Sequence, residues 1–378
     1  MKKFFFLTVV AGVALAGCVK NEPAPFESEQ QITFAAPVVG LNTKAVNEVW
    51  NNYPTDAAYD FAVWGYYYAG GTYTTFDDGQ LYVNNVTVSY DGTLSGWAPA
   101  TPYYWPKNGS LTFIAYSPAT LKATEDITVT KAGIQIDGYN VDVDATKQVD
   151  LLFSERAYNK KRVVEDEFAG SGETDQDPSV TDDRYAGVHL SFKHALSSIL
   201  FTARTKGTYT GTTITLKEIS LLNVKSSGTF NQTLKDANAE TTAANAEVWS
   251  GQSEPKNYVI SGLNQVLDAN AYYPSTNGKG GPAVEEGLRK SDFILLPQKF
   301  EAYDPIPTIQ VKYTIESPDS SDPIDQVQEV PLRFLTAEDG EEWKWGHRYI
   351  YNIIIALDKI YFEPYVTPWT DAGNDVKL

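Results

Sequence analysis

The chain has 378 residues, with 30 lysines and arginines against 48 aspartates and glutamates, a formal charge of −18 and a pI near 4.6. An acidic surface of this kind repels phosphate backbones, which argues against nucleic acid as a partner. With a single cysteine no internal disulfide is available, so the fold must rest on sizeable apolar cores.

Residues 1–17 read as a lipoprotein signal peptide. Lys2 and Lys3 precede the apolar run Phe4 to Ala16, and the small residue Gly17 precedes Cys18 at the expected cleavage point. The apolar run is too short for the roughly 20 residues a bilayer requires. Cys18 is thus expected to receive diacylglycerol and to become the first residue of a membrane-anchored chain. Residues 18–31, with Pro23 and Pro25, read as a tether.

Downstream the dominant period is two. Ile32, Phe34 and Ala36 alternate with Thr33 and Ala35; Val86, Val88 and Tyr90 with Thr87 and Ser89; Ile309, Val311, Tyr313 and Ile315 with Gln310, Lys312 and Thr314. Such alternation marks half-buried strands. Asp91-Gly92 suits a tight hairpin turn, whose central residues need positive φ. Ala45 to Tyr53 could form one short helix, and Leu234 to Trp249 is alanine-rich without an apolar stripe. The 13 per cent aromatic content and closely spaced strands favour an all-β fold built from antiparallel sandwiches. The acidic, glycine-bearing stretch Glu165 to Asp183 lacks an apolar period and reads as a loop. It separates an N-terminal unit, 32–186, from a C-terminal unit, 187–378. Long loops are also expected at Ser250 to Lys290 and at Ser317 to Asp325. Leu190, Phe192 and His194 share a face after the boundary, followed by Ile199, Phe201 and Ala203.

Conventional catalytic groups are scarce. Three histidines, at 189, 194 and 347, occur without a nucleophile elbow, zincin helix, P-loop or Cys-x-x-Cys pattern. No catalytic residue, cofactor or metal site is expected, and the chain does not read as an enzyme. His194 is expected to face the core and His347 to open a strand. The acids of Val141-Asp142-Val143-Asp144 and of Asp182-Asp183 lack the glycine and distal glutamate of an EF-hand loop and read as solvated. Tyr66-Tyr67-Tyr68 and Tyr103-Tyr104-Trp105 could stack on sugars or pack inside a sandwich. The first alternative would make the chain a monomeric surface lipoprotein that binds glycans.

Several stretches, in order, resemble the fimbrillins, the FimA- and Mfa-like pilins of type V pili in anaerobic Gram-negative bacteria. They are Ile32-Thr33-Phe34 with Thr43-Lys44-Ala45; Trp97 with Tyr104-Trp105-Pro106 and Leu111 to Pro118; Phe192 to Leu196; Leu295 to Gln298; Trp345-Gly346 through Tyr351; and Val366 to Trp369. The resemblance implies two tandem transthyretin-like β-sandwich domains. It also implies a subunit (stalk, tip or accessory) of an adhesive fimbria at the outer membrane surface, with other fimbrial subunits as partners and host or bacterial surface ligands as targets of adhesion. In such pilins a trypsin-like surface protease removes the first strand and a neighbour's strand replaces it. Here the removable strand would start with Ile32, Thr33, Phe34, Ala35 and Ala36 and extend to Thr43, and the bond cut would be Lys44–Ala45. Lys44 is the only basic residue between Lys20 and Lys107, although the best-known fimbrillins are cut after arginine and the first arginine here is Arg156. The donor candidate is the C-terminal stretch from Ile360, with Phe362, Val366 and Trp369, which could instead be built into the subunit's own sheet.

Overall fold

The computed structural model describes residues 30–39, 59–72, 78–93, 96–123, 125–130, 133–161, 187–232, 248–274, 293–300, 305–334 and 342–368. The described residues form an all-β protein of 21 strands, β1 to β21 in chain order, with 3-10 turns as the only helical elements.

The first sheet follows the order β1 (Val38–Val39), β10 (Ser191–His194), β8 (Leu152–Ser154), β5 (Ser110–Ser117), β2 (Phe61–Tyr68), β3 (Gln80–Asp91) and β4 (Gly96–Pro99), with β9 (Ala157–Lys160) on β5. All its pairings are antiparallel except β1 with β10. The backbone from Gln31 to Val39 then bridges β4 to β10, so the sheet closes on itself. Closure leaves no bare edge at that seam and encloses a small core that includes Ile32, Phe34, Phe61, Val63, Trp97, Phe113 and Phe192.

The opposite face of the first sheet is buried too. Ala62, Trp64, Tyr66 and Tyr68 of β2, Ile114 and Tyr116 of β5 and Phe153 of β8 enter a second, larger core. Strands buried on both faces read as continuous apolar runs, which explains why Phe61–Tyr68 and Ser110–Ser117 do not alternate. Burial pushes the Tyr116 hydroxyl up to about 12.

Two further sheets share this larger core. One runs β18 (Ile324–Pro331), β17 (Thr308–Glu316), β12 (Thr213–Asn231), β7 (Gly133–Asn140), β6 (Asp126–Thr130), with β13 (Trp249–Ile260) and β14 (Gln265–Val266) on β12. The other runs β15 (Phe293–Leu295), β11 (Ser197–Thr205), β20 (His347–Ile355), β21 (Ile360–Pro368), with β11 and β20 parallel. A short pair, β16 (Gln298–Lys299) with β19 (Glu342–Trp343), stands apart.

Strands from both sides of residue 186 mix in two of these sheets. Ser191–His194 pairs with β8 of the first sheet, and the hairpin β6–β7 adds to β12 of the second. Polar contacts join the same regions: the Trp249 indole donates to Ala195 O at 2.6 Å, and the Gln232 amide to Ser154 O at 2.7 Å. Phe153 packs on Phe230 and Trp345 at centroid distances of 5.2 and 5.7 Å.

Three local expectations need correction. Ser250 to Ile260 is strand β13 rather than the start of a long loop, its polar side chains exposed on both faces. Within Ser317 to Asp325, Ile324 and Asp325 already belong to β18. Asp91 pairs with Gly96, so the β3–β4 connection is longer than a two-residue turn. The expected helix at Ala45 to Tyr53, the loop at Glu165 to Asp183 and the stretch Leu234 to Glu247 lie outside the described residues.

Candidate functional site

The site of interest is the seat of residues 31–39. On one side Phe34 exchanges both backbone hydrogen bonds with Trp97, its N–H donating at 2.8 Å and its carbonyl accepting at 3.2 Å. Ile32 N–H donates to Tyr103 O at 2.7 Å, and Trp105 N–H donates to Gln30 O at 2.9 Å. On the other side Ala35 N–H donates to Val188 O at 3.0 Å and Val188 N–H to Thr33 O at 2.8 Å. The segment is therefore held by backbone on both edges, as an interior strand is.

Side chains complete the seat. Phe34, 1% exposed, meets Phe61 and Phe113 edge to face, with ring centroids 5.6 and 5.5 Å away. Phe61 in turn packs on Trp97 and Phe192. Ile32 and Val39 are also buried. At roughly 1.5 to 3 kcal/mol each, these three side chains contribute on the order of 5 to 9 kcal/mol before ordering costs. The alternation expected for 32–36 ends at Phe34, since Ala35 is buried and Ala36 exposed. Pro37, which fixes its own φ and donates nothing, follows at once.

Gly187 makes this close approach possible. Its φ is +91°, and a β-carbon there would lie 2.7 Å from backbone atoms of Thr33 and Phe34. Only glycine fits that combination without displacement.

At the other end of the chain, β21 pairs with β20 in unbroken register from Ile355↔Ile360 to His347↔Pro368. Ile360, Phe362 and Val366 pack only partly on the larger core, and among the described residues β20 is the one strand that β21 pairs with. Thus the donor candidates Ile360, Phe362 and Val366 occupy their own sheet in this structure, while Trp369 lies outside the described residues. Gly17, Cys18, Lys44 and Ala45 lie outside them as well.

Among the remaining sequence candidates, Tyr66 and Tyr68 are buried in the larger core, and burial raises the Tyr68 hydroxyl to about 12. Tyr103 and Trp105 pack against the smaller core, whereas Tyr104 and Tyr82 are exposed and linked, the Tyr82 hydroxyl donating to Tyr104 O at 2.7 Å. His194 is buried with Nδ1 2.7 Å from Asp150 Oδ2. His347 opens β20 and donates from Nδ1 to Trp345 O. Asp144 caps a short turn through Thr146. Among the described residues no cluster of three metal-ligating side chains occurs, and no helix is long and apolar enough to cross a membrane.

The first sheet is thus a ring of strands closed by a separate leading segment, and β21 lies at the edge of another sheet. The fimbrillin-like family model matches residues 43–369, and the chain belongs to that family. Membership makes it a fimbrial subunit of the cell surface. No curated protein matches the chain. Among solved structures it is similar to a fimbrial protein from Bacteroides vulgatus, with TM-score 0.55, 12% identity, and coverage of 90% of this chain and 100% of that one. It also matches the C-terminally truncated tip fimbrial protein Mfa3 from Porphyromonas gingivalis, with TM-score 0.39, 11% identity, and coverage of 83% and 95%.

Proposed function

We propose that the chain is exported as a lipoprotein through Cys18 and that residues 32–43 are a provisional strand. A trypsin-like surface protease cuts Lys44–Ala45, the strand leaves, and a neighbouring subunit's strand fills the seat. The two units, 32–186 and 187–378, interlocked through β10 and the β6–β7 hairpin, then act as tandem sandwiches in a fimbrial stalk, tip or accessory position. No catalytic step is part of this reading.

The observation that carries it is the double-sided hydrogen bonding of residues 31–39 around a buried Phe34. A cut at residue 44 would leave this segment attached to the rest of the fold by non-covalent contacts alone. Its departure would bare Phe61, Trp97 and Phe113 together with the backbone groups of Trp97, Tyr103, Trp105 and Val188. Such a seat recruits an extended strand, because unpaired edges and apolar rings are both costly in water. Within the chain, Ile360-Tyr361-Phe362 repeats the Ile-x-Phe spacing of Ile32-Thr33-Phe34, which supports β21 as the donor.

Limited trypsin digestion of residues 18–378, with N-terminal sequencing and size-exclusion chromatography, tests the proposal. The expected result is an early product starting at Ala45 that forms higher-order species. A chain resistant at Lys44 that remains monomeric would overturn it.

A further inference from the structure

The strand assigned above as donor is fastened at one end by a cluster of side chains outside its own hairpin. Lys206 follows β11 and its N–H donates to Ile355 O at 2.9 Å, placing it beside the last residue of β20. From there its ammonium group reaches β21: Nζ donates to the Tyr361 hydroxyl at 3.0 Å and lies 4.3 Å from the centre of the ring. Lys359 Nζ lies 4.8 Å from the same ring centre. The intervening turn is closed by Ala356 N–H donating to Lys359 O at 2.9 Å. One tyrosine on an edge strand is thus gripped by two cations, one of them just past the end of β11.

We propose that Lys206, Tyr361 and Lys359 form a latch that sets how readily β21 leaves its own sheet. The functional meaning of such release rests on the strand-exchange reading above; the latch itself does not. β21 is a natural target for this device. Among the described residues it has one strand neighbour, and none of its side chains described is fully buried, so surface contacts add measurably to the β20 ladder that retains it. The Lys206–Tyr361 contact spans β20 and must break before Tyr361 can move. Electrostatics agree with the geometry. The hydrogen bonds from Lys206 and Lys359 hold the Tyr361 hydroxyl below its usual range, and the hydrogen bond to Tyr361 raises the Lys206 ammonium, with Asp358 and Tyr209 adding smaller effects. Exposed cation–π contacts are individually weak, so the expected effect is a change of a few-fold rather than unfolding.

Hydrogen exchange read by mass spectrometry on the uncut chain, residues 18–378, tests the latch. Lys206→Ala and Lys359→Ala should each accelerate exchange in residues 360–368 about two- to five-fold. Residues 61–68 of β2 serve as the reference and should not change. Unchanged β21 exchange in both variants would overturn the proposal, as would equal acceleration in β2, which would mean general destabilisation. Because this measurement needs neither cleavage nor assembly, a failure of the strand-exchange reading in the trypsin assay would be separately visible.

Discussion

The α-carbon of Gly187 lies against the backbone of Phe34, so that a β-carbon at residue 187 would stand 2.7 Å from both the amide nitrogen and the carbonyl carbon of Phe34. This contact makes one glycine the floor of the seat in which residues 31–39 lie. Gly187→Ala should force the leading segment outward while the larger core keeps its packing. The positive φ alone costs about 1–2 kcal/mol for an L-residue. Expected is faster trypsin cutting at Lys44 with unchanged far-UV circular dichroism. Wild-type cutting rates would contradict the assignment of Gly187.

Phe34 supplies the largest buried side chain of the segment. Phe34→Ala should cost about 3–5 kcal/mol in urea unfolding of the uncut chain, the range for emptying a buried aromatic site. If the segment departs after cleavage, the purified product beginning at Ala45 no longer contains residue 34. Product prepared from the variant should then unfold indistinguishably from wild-type product, whereas a persisting difference would mean that the cut segment stays bound.

Sheets that take strands from both sides of residue 186 predict interdependent halves. Expressed alone, residues 32–186 lack Val188 and β10, and residues 187–378 lack the β6–β7 hairpin that covers part of β12. Each fragment is expected to be unfolded or aggregated by circular dichroism and size-exclusion chromatography. A monomeric, cooperatively melting fragment of either kind would refute this.

Tyr361 should ionise early. A difference titration at 295 nm between the wild type and Tyr361→Phe should give a midpoint below the ordinary value of about 10, and Lys206→Ala should move that midpoint upward. The lowered tyrosine stabilises above the unfolded-state tyrosine pKa, an effect lost as pH falls through the folded one. The raised Lys206 stabilises below the unfolded-state lysine pKa, an effect lost as pH rises through the folded one. The latch should therefore hold best near the ordinary tyrosine and lysine values, and β21 protection relative to β2 should rise as pH approaches the ordinary tyrosine value from below.

Much of the fold was legible where one face of a strand meets water. Thr308–Glu316 became β17 with Ile309, Val311 and Tyr313 buried, whereas Lys193 is buried along with Phe192 and His194, so no alternation holds there. Strand β13 was not legible, because its polar run Gly-Gln-Ser-Glu-Pro-Lys-Asn pairs with β12 through backbone that carries no side-chain signature. In the seat, Ile32 and Phe34 were visible as an alternating pair. Their partners Trp97, Tyr103, Trp105 and Gly187 stand 63 to more than 150 positions away in sequence, beyond the reach of any local period.

By itself, the sequence determined the all-β class, the lipobox-like pattern before Cys18, the scarcity of catalytic chemistry and the resemblance to fimbrillins, because composition, local period and short motifs are properties of neighbouring residues. Only the tertiary structure decided that residues 31–39 close the first sheet, that β2 and β5 are buried on both faces, and that Lys206 grips Tyr361 on β21. Those features depend on which strands become neighbours in space. That choice follows from burying two apolar faces at once while satisfying every intervening backbone hydrogen bond.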